Sequence, residues 1–390
     1  DSANRTYRIT TSKRGADVVA CRNMGSPEFV QTLQGLAHRR SSPGELLDEN
    51  GSPTAVVEEA LLTLGADFIL KLIEFRPRVV GFRIEAGLSN QVTRFVRATR
   101  LFSDAAIVLG GPTATSHPLD VLEKTAADYL FVGEAEESFV QFLRVLQQPN
   151  SDHLLSEIPG LASWHDGPGR SAVEPHGEGR PVTSEEVIDA NRLDFSLLEG
   201  FDGRFESLFF TGGRGCPGHC TFCAGLHGRR VRVKSASRLL GEIEAAHAAV
   251  SSGRIKLGRW KLFEHANDRE WASRSVGWAA VYDEDFFLAR RRAIEFFRLW
   301  AKNPLRHDYR ISLQTNPRSL LTPEGRVDAE LLRWIDRVKP MVQLGGESFN
   351  PRLLERWRKR HDLPQLETVL TALDQTGQDY TVFQLLTDFD

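Results

Sequence analysis

Three of the four cysteines lie within eight residues, Cys216, Cys220 and Cys223, in the string RGCPGHCTFC. A structural zinc site or a simple electron-transfer cluster uses four protein ligands, so three thiolates leave one metal position open to a substrate or cofactor. The glycines around these cysteines predict a backbone that curls closely around a metal cluster. The alternative is a zinc loop that borrows a distant ligand, such as Cys21 or a histidine.

The C-x3-C-x2-C spacing, placed after the apolar run 208–210, resembles the defining motif of the radical S-adenosylmethionine (radical SAM) superfamily. In that superfamily the motif lies on the loop after the first barrel strand, and an aromatic residue such as Phe222 commonly precedes the last cysteine. The resemblance implies a [4Fe–4S] cluster held by Cys216, Cys220 and Cys223, with S-adenosylmethionine as a second cofactor.

Composition narrows the class of protein. The 390 residues are enough for two domains, and a net charge of -3 gives no basic footprint for nucleic acid. No apolar run is long enough for a membrane span. The first residues lack the apolar core of a secretory signal peptide. The natural N-terminus is expected to precede Asp1, because the sequence does not begin with methionine. Four cysteines, three of them clustered, do not form a disulfide framework. We expect a cytoplasmic monomer without nucleic-acid or membrane partners.

Residues 1–150 read as a separate domain. Short apolar runs at 78–82, 105–109 and 129–132 alternate with helical stretches, and each run ends in glycine or a polar residue. This alternation predicts a parallel, doubly wound, Rossmann-like α/β sheet. Ligands of such sheets bind outside the carboxyl ends of the strands.

The strings GGPTAT and GEAEESF, which follow two of these runs, resemble the cobalamin-binding domain that precedes many radical SAM domains. The alternative is that their glycines only form turns. The string D-x-H-x-x-G is absent from residues 1–150, so cobalt is expected to bind without a protein histidine. A side chain from a nearby loop would then block the lower face of the cobalt, and the candidates are Arg22, Asn23, Arg83 and Glu85. The resemblance implies these cofactor-binding residues: Arg83, Ser89, Gly110, Gly111, Pro112, Thr113, Gly133, Glu134 and Glu136.

Residues 151–203 are predicted to be a connector, and residues 204–390 a second α/β domain. With the run at 208–210, predicted strands at 278–282, 309–313, 341–344 and 380–386 make five parallel strands of a partial (β/α)6 radical SAM barrel. The sixth strand is expected beyond residue 390. Barrel enzymes carry their chemistry at the carboxyl ends of the strands, where polar residues cluster in this sequence.

The resemblance implies that Glu347 and Ser348, with Gln314 and Asn316, contact S-adenosylmethionine, and that Tyr282 belongs to the catalytic site. The neighbouring Asp283 and Asp285 have helix N-caps as an alternative role. Glu264 lies in the long stretch 251–277 and is a candidate catalytic residue that would occupy the open iron. The alternative is that the stretch 251–277 is a solvated surface loop in which Glu264 has no catalytic role.

Together these features predict a cobalamin-dependent radical SAM methyltransferase of class B, in which methylcobalamin stores the methyl group. It would methylate an unactivated or aromatic carbon of a small molecule or peptide precursor, as the tryptophan 2-C-methyltransferases of antibiotic pathways do. An external one-electron reductant is then needed. The alternatives are a cobalamin-dependent cyclase or rearrangement enzyme, and a non-catalytic corrinoid-binding protein. A methylthiotransferase is disfavoured, because only Cys21 is present where three more cysteines would be needed.

Overall fold

The computed structural model divides into two compact units, Asp1–Pro181 and Val182–Asp390. It describes residues 8–9, 19–20, 54–87, 89–164, 172–173, 175, 182–195, 204–261 and 275–385. None of the helices in this described part of the chain is long and apolar enough to cross a bilayer.

The first unit holds a five-stranded sheet in the order β3-β4-β5-β6-β7. Strands β3 to β5 are parallel, whereas β6 and β7 each join antiparallel. A separate antiparallel pair, β1 and β2, precedes them. The elements in chain order are β1 Arg8–Ile9, β2 Val19–Ala20, α1 Ala55–Leu64, α2 Ala66–Phe75, β3 Val79–Arg83, α3 Ser89–Phe102, β4 Ala106–Gly110, α4 Pro112–Ser116, α5 Pro118–Thr125, β5 Tyr129–Phe131, α6 Glu136–Val145, β6 Leu161–Trp164 and β7 Ala172–Val173.

Alternating side chains of β4 explain why helices cover both faces of this sheet. Ile107 and Leu109 point into one buried cluster with α3, α4 and α5. Val108, between them, points into a second cluster with Phe142 of α6. A strand buried on both faces reads as the continuous apolar run seen in the sequence. Two details refine the prediction: the short helix α4 begins within the GGPTAT string, and residues 161–164 of the predicted connector form strand β6.

The second unit contains five parallel strands that pair in their order along the chain, β9-β14-β15-β16-β17. Strand β13 adds antiparallel to the start of β14. The elements are α7 Glu185–Ala190, β8 Arg204–Phe205, β9 Leu208–Phe210, β10 Gly213–Arg214, β11 Arg232–Val233, α8 Ala236–Ser251, β12 Lys256–Leu257, β13 Trp260–Lys261, β14 Ser275–Val281, α9 Arg290–Trp300, β15 Tyr309–Thr315, α10 Ala329–Val338, β16 Met341–Glu347, α11 Pro351–Arg356, α12 Leu363–Gln375 and β17 Tyr380–Gln384.

Local signals in the sequence account for where these helices begin. Ser235 and Asp328 accept backbone N–H groups of the first turns of α8 and α10. Asp362 and Gln365 form a reciprocal capping box at the start of α12. The core lies between these helices and the parallel strands, and it includes the buried aromatic side chains of Phe286, Phe287, Phe296, Phe297 and Trp300. All five parallel strands therefore end at one edge, which is where the cysteine loop begins.

Candidate functional site

The cysteine loop, residues 215–228, leaves the carboxyl end of the first parallel strand and folds back on itself. Gly215 has φ of 91°, and a Cβ there would lie 2.1 Å from the carbonyl oxygen of Arg230. Only glycine fits this close approach. The Gly218 N–H donates to Cys216 Sγ over 3.4 Å, and the Cys223 N–H donates to the Cys220 carbonyl over 3.1 Å. A backbone donor aimed at a cysteine sulfur suits a thiolate that binds metal.

A cavity of about 450 Å³ opens beside this loop. Its volume lies within the range of small-molecule and cofactor sites. All three cysteines line it, together with the ends of three further parallel strands. Those strand-end residues are Tyr282, Asp283, Glu284, Asp285, Gln314, Thr315, Asn316, Gly345 and Glu347.

The structure brings together four of the residues predicted to contact S-adenosylmethionine or to act in catalysis. Tyr282 is exposed and packs at 5.2 Å from the ring of Phe209. Gln314 is half-buried and has no side-chain partner in the described part of the chain. Asn316 also lines the cavity, although its Oδ1 accepts the Arg318 N–H over 2.9 Å. These three residues and Glu347 all face the space beside the cysteines.

Ser348 lies apart from this group. It is not among the residues that line the cavity, and its Oγ accepts the N–H of Asn350 over 3.0 Å. Glu347 precedes it with φ of 63°, at an irregularity in the pairing of β16 with β17. The turn at Glu347 therefore leaves Glu347 in the cavity lining and Ser348 outside it. The contact of Ser348 with S-adenosylmethionine stays a prediction.

The two aspartates that follow β14 are structural anchors, and neither side chain caps a helix. Asp283 is buried and accepts the N–H groups of Gly212 and Gly213, each over 2.7 Å. Its other oxygen pairs with Arg292 at 2.5 Å. These contacts tie the start of the cysteine loop to β14 and α9.

Asp285 occupies an N-cap position, but its side chain accepts no N–H group of the short helix that follows. It accepts two hydroxyl groups and the N–H of Asn316 instead. Thr315 and Ser319 donate to it over 2.6 Å each, and Arg360 approaches at 3.2 Å. Burial raises the pKa of the Asp285 carboxyl, against the lowering effect of these donors. Asp285 thereby links the ends of β14 and β15 to a segment after β16.

That segment, Trp357–His361, contributes to the site and was missed by sequence reasoning. The Trp357 carbonyl accepts the Thr221 N–H over 3.1 Å, and its ring meets Phe222 edge-on at 5.9 Å. Lys359 and Arg360 line the cavity. Lys359 pairs with Glu347 at 3.1 Å while its side chain is only 5% exposed. The basic string WRKRH at 357–361 was the available sequence signal for this segment. The string is far from the cysteines along the chain, and no motif links the two.

His361 at the end of this segment is buried, and its Nε2 lies 3.3 Å from the Gly346 carbonyl. Burial and the nearby charge of Lys359 lower the pKa of His361 to about 4. The imidazole is therefore neutral at neutral pH, with Nε2 carrying the proton that Gly346 accepts. It holds the backbone of the turn that presents Glu347.

No known family profile matches the sequence. A curated relative, cytidylyl-2-hydroxyethylphosphonate methyltransferase of Streptomyces wedmorensis, is 27% identical over 215 residues, which cover 46% of this chain and 39% of the relative. The cobalamin-dependent S-adenosylmethionine radical enzyme OxsB matches 82% of this chain with a TM-score of 0.65 and 16% identity. The radical S-adenosylmethionine methyltransferase TsrM of Kitasatospora setae matches 84% with a TM-score of 0.60 and 16% identity.

The chain has the fold of the cobalamin-dependent radical SAM enzymes. It spans less than two thirds of each of these relatives, 42% of OxsB and 64% of TsrM. The predicted cluster loop and the predicted S-adenosylmethionine residues belong to the second unit, where the three cysteines, Gln314, Asn316 and Glu347 line one cavity.

The cysteine side chains fit a cluster. Among the described residues, no three His, Cys, Asp or Glu side chains are placed to hold a single metal ion. Cysteines of an iron–sulfur cluster bind different irons, so they do not need to meet at one ion. The pKa of the Cys220 thiol is raised, mainly by burial, and the thiols of Cys223 and Cys216 raise it further. All three cysteines line the same cavity, so one cluster can contact all three.

The first unit places most of the predicted cobalamin residues at or after the carboxyl ends of its parallel strands. Gly111, with φ of 108°, is required by packing, because a Cβ there would lie 2.9 Å from the Ile84 carbonyl oxygen. Gly110 is different, since a Cβ there would meet no atom of the described residues within 4 Å. Nearby, the Gly133 N–H donates to Thr115 Oγ1 over 3.0 Å. The bare backbone at Gly110 leaves room for a flat ligand.

The remaining predicted residues of the first unit are placed as follows. Arg83, the last residue of β3, pairs with Glu85 at 2.7 Å on the surface. Pro112 and Thr113 begin α4, and Glu136 begins α6. Glu134 is buried. Ser89 begins α3. Glu264, Arg22 and Asn23 lie outside the described residues, so their predicted roles stay predictions.

Proposed function

We propose that this chain is a cobalamin-dependent radical SAM methyltransferase that holds a [4Fe–4S] cluster on Cys216, Cys220 and Cys223. The observation that carries the proposal is the single cavity shared by these cysteines with Tyr282, Gln314, Asn316 and Glu347. Relatives named as methyltransferases on both the sequence and the structure side support methyl transfer. When bound, the cofactors supply the radical and methyl-transfer chemistry.

The residues of the chain supply binding, orientation and charge. The three thiolates would hold three irons, leaving the fourth open toward the cavity. Glu347 and Gln314 present a carboxylate and an amide to a polar ligand in the cavity, and the Gln314 amide has no side-chain partner among the described residues. A carboxylate and an amide can together fix an amino-acid group, which S-adenosylmethionine carries. Tyr282 offers an exposed aromatic face to a substrate.

The substrate is proposed to be a small molecule. The Streptomyces wedmorensis relative is named for a cytidylyl phosphonate, and TsrM was solved with its tryptophan substrate. Both are small molecules, and the cavity volume suits one beside a cofactor. A radical rearrangement is the second candidate, because OxsB is described as a radical enzyme and not as a methyltransferase.

Methyl-labelled S-adenosylmethionine distinguishes these functions. With protein reconstituted without air, reduced cobalamin and a one-electron reductant, we expect deuterium from the labelled methyl group in the corrinoid, together with S-adenosylhomocysteine. Mass spectrometry measures both products without knowledge of the substrate. A rearrangement enzyme would release 5′-deoxyadenosine with an unlabelled corrinoid. A carrier protein would release neither nucleoside product, and either result would contradict methyl transfer.

Gly110 tests the cobalamin site. We expect Gly110→Val to lose most cobalamin binding while the protein stays folded, because the new side chain enters space that no protein atom fills. Absorbance of the bound corrinoid after gel filtration measures the loss, and circular dichroism checks the fold. Gly81→Val in the middle of β3 is the matched control, since a Cβ there meets only the Val108 carbonyl oxygen at 4.0 Å. Equal binding by both variants would remove this edge from the cobalamin site.

A further inference from the structure

The Trp357–His361 segment brings a buried cation to the cysteine loop. Lys359 Nζ lies 5.6 Å from the centre of the Phe222 ring, and Phe222 stands between Cys220 and Cys223 in the sequence. The Lys359 side chain is 5% exposed, so solvent screens its charge weakly. Trp357 and Thr221 hold this segment against the loop through a backbone hydrogen bond of 3.1 Å.

Arg229 also lines the cavity, but it is exposed, so solvent screens its charge. Three other charged residues that line the cavity have charged or polar partners. Asp283 pairs with Arg292, and Asp285 lies 3.2 Å from Arg360. Glu284 accepts the Gly215 N–H over 3.1 Å and lies 3.9 Å from His227. Lys359 also has a partner, Glu347. Of this last pair, Lys359 is the member whose charged group lies over a side chain of the cysteine loop.

The position of Lys359 makes its own charge matter to the cysteine loop. Its Nζ lies over the ring of Phe222, which directly precedes Cys223. The Lys359 side chain is also less exposed than that of Glu347, 5% against 15%. Replacing Lys359 by a neutral residue therefore removes one buried positive charge beside the loop.

A cluster held by three thiolates is anionic, and one-electron reduction adds a further negative charge. Net charge around a cluster is one of the factors that set its reduction potential. We propose that Lys359 raises the reduction potential of the cluster held by Cys216, Cys220 and Cys223. The electron comes from an external one-electron donor, and no bond forms or breaks in this step. The inference rests on the proposed function, because it needs the cluster to be present.

The expected size follows from simple electrostatics. At an effective dielectric constant of about 20, a unit charge within about 12 Å changes a one-electron equilibrium about tenfold. We therefore expect Lys359→Met to lower the equilibrium constant for cluster reduction about tenfold, which for a one-electron couple is about 59 mV. A potentiometric titration of the reconstituted protein, followed by electron paramagnetic resonance, measures this shift without any turnover.

Two variants control for other causes. Lys359→Arg keeps the charge and is expected to titrate close to the wild-type potential. Arg358→Met removes the same charge from an exposed neighbour, where solvent screens it, and is expected to shift the potential much less than Lys359→Met does. A purely structural role of Lys359 would not distinguish these variants by potential.

The outcomes separate the two proposals. If the reconstituted wild-type protein holds no iron and no sulfide, the proposed function itself is overturned. An intact cluster whose potential is unchanged in Lys359→Met would overturn the role of Lys359 alone. If Lys359→Met holds no cluster, Glu347→Gln decides, because it leaves the Lys359 charge uncompensated and should raise the potential. An unchanged or lower potential in Glu347→Gln would then overturn the inference.

Discussion

Cys220→Ala is expected to lose the iron–sulfur cluster completely, together with all cleavage of S-adenosylmethionine. Reconstituted wild-type protein should hold about four irons per chain, and two remaining thiolates cannot retain a cluster in this exposed loop. Iron and sulfide assays and the visible absorbance of the cluster measure the change. Cys216→Ala and Cys223→Ala should behave alike, since all three side chains line the same cavity.

Cys21→Ala is the matched control, because it makes the same substitution at the one cysteine outside the motif. It should keep the full iron content and activity. Retained iron and turnover in Cys220→Ala would contradict the cluster assignment. Loss of iron in Cys21→Ala would instead favour the alternative in which a distant cysteine completes a metal site.

Asp283→Asn should destabilise the second unit by about 3 to 5 kcal/mol, the usual cost of removing one partner from a buried ion pair. The carboxylate is 3% exposed and pairs with Arg292, whose side chain is 6% exposed. Asparagine keeps the shape but leaves the guanidinium buried without its counter-charge. An asparagine amide also has one oxygen fewer for the Gly212 and Gly213 N–H groups and Arg292. Urea unfolding of the cluster-free protein measures the loss.

Asp308→Asn is the control for this change. Asp308 forms an exposed pair with Arg259 at 4.0 Å, and such surface pairs contribute about 1 kcal/mol or less. We expect its unfolding midpoint to stay close to that of the wild type. If the two variants unfold alike, Asp283 does not anchor the cysteine loop. A large loss in Asp283→Asn alone would identify this aspartate as a structural residue of the site.

Much of the second unit follows from local patterns in the sequence. The runs at 208–210, 309–313 and 341–344 lie within observed parallel strands, because buried parallel strands are continuously apolar. Parallel strands connected by helices end at one edge, so Gln314 and Glu347 could be expected near the cysteines. Ser348 shows the limit of this reasoning. A backbone irregularity at Glu347 separates it from the cavity lining, and apolar spacing does not report such an irregularity.

The sequence by itself determined the cysteine triad, the glycine that its loop requires, and the order of strands and helices. These depend on residues that are near one another along the chain. Only the tertiary structure decided that Asp283 receives the N–H groups of Gly212 and Gly213, and that Lys359 lies beside the cysteine loop. Such partners are distant in sequence and meet because helices and strands pack around a shared core. Packing, unlike spacing, leaves no periodic signal from which the contact could be predicted.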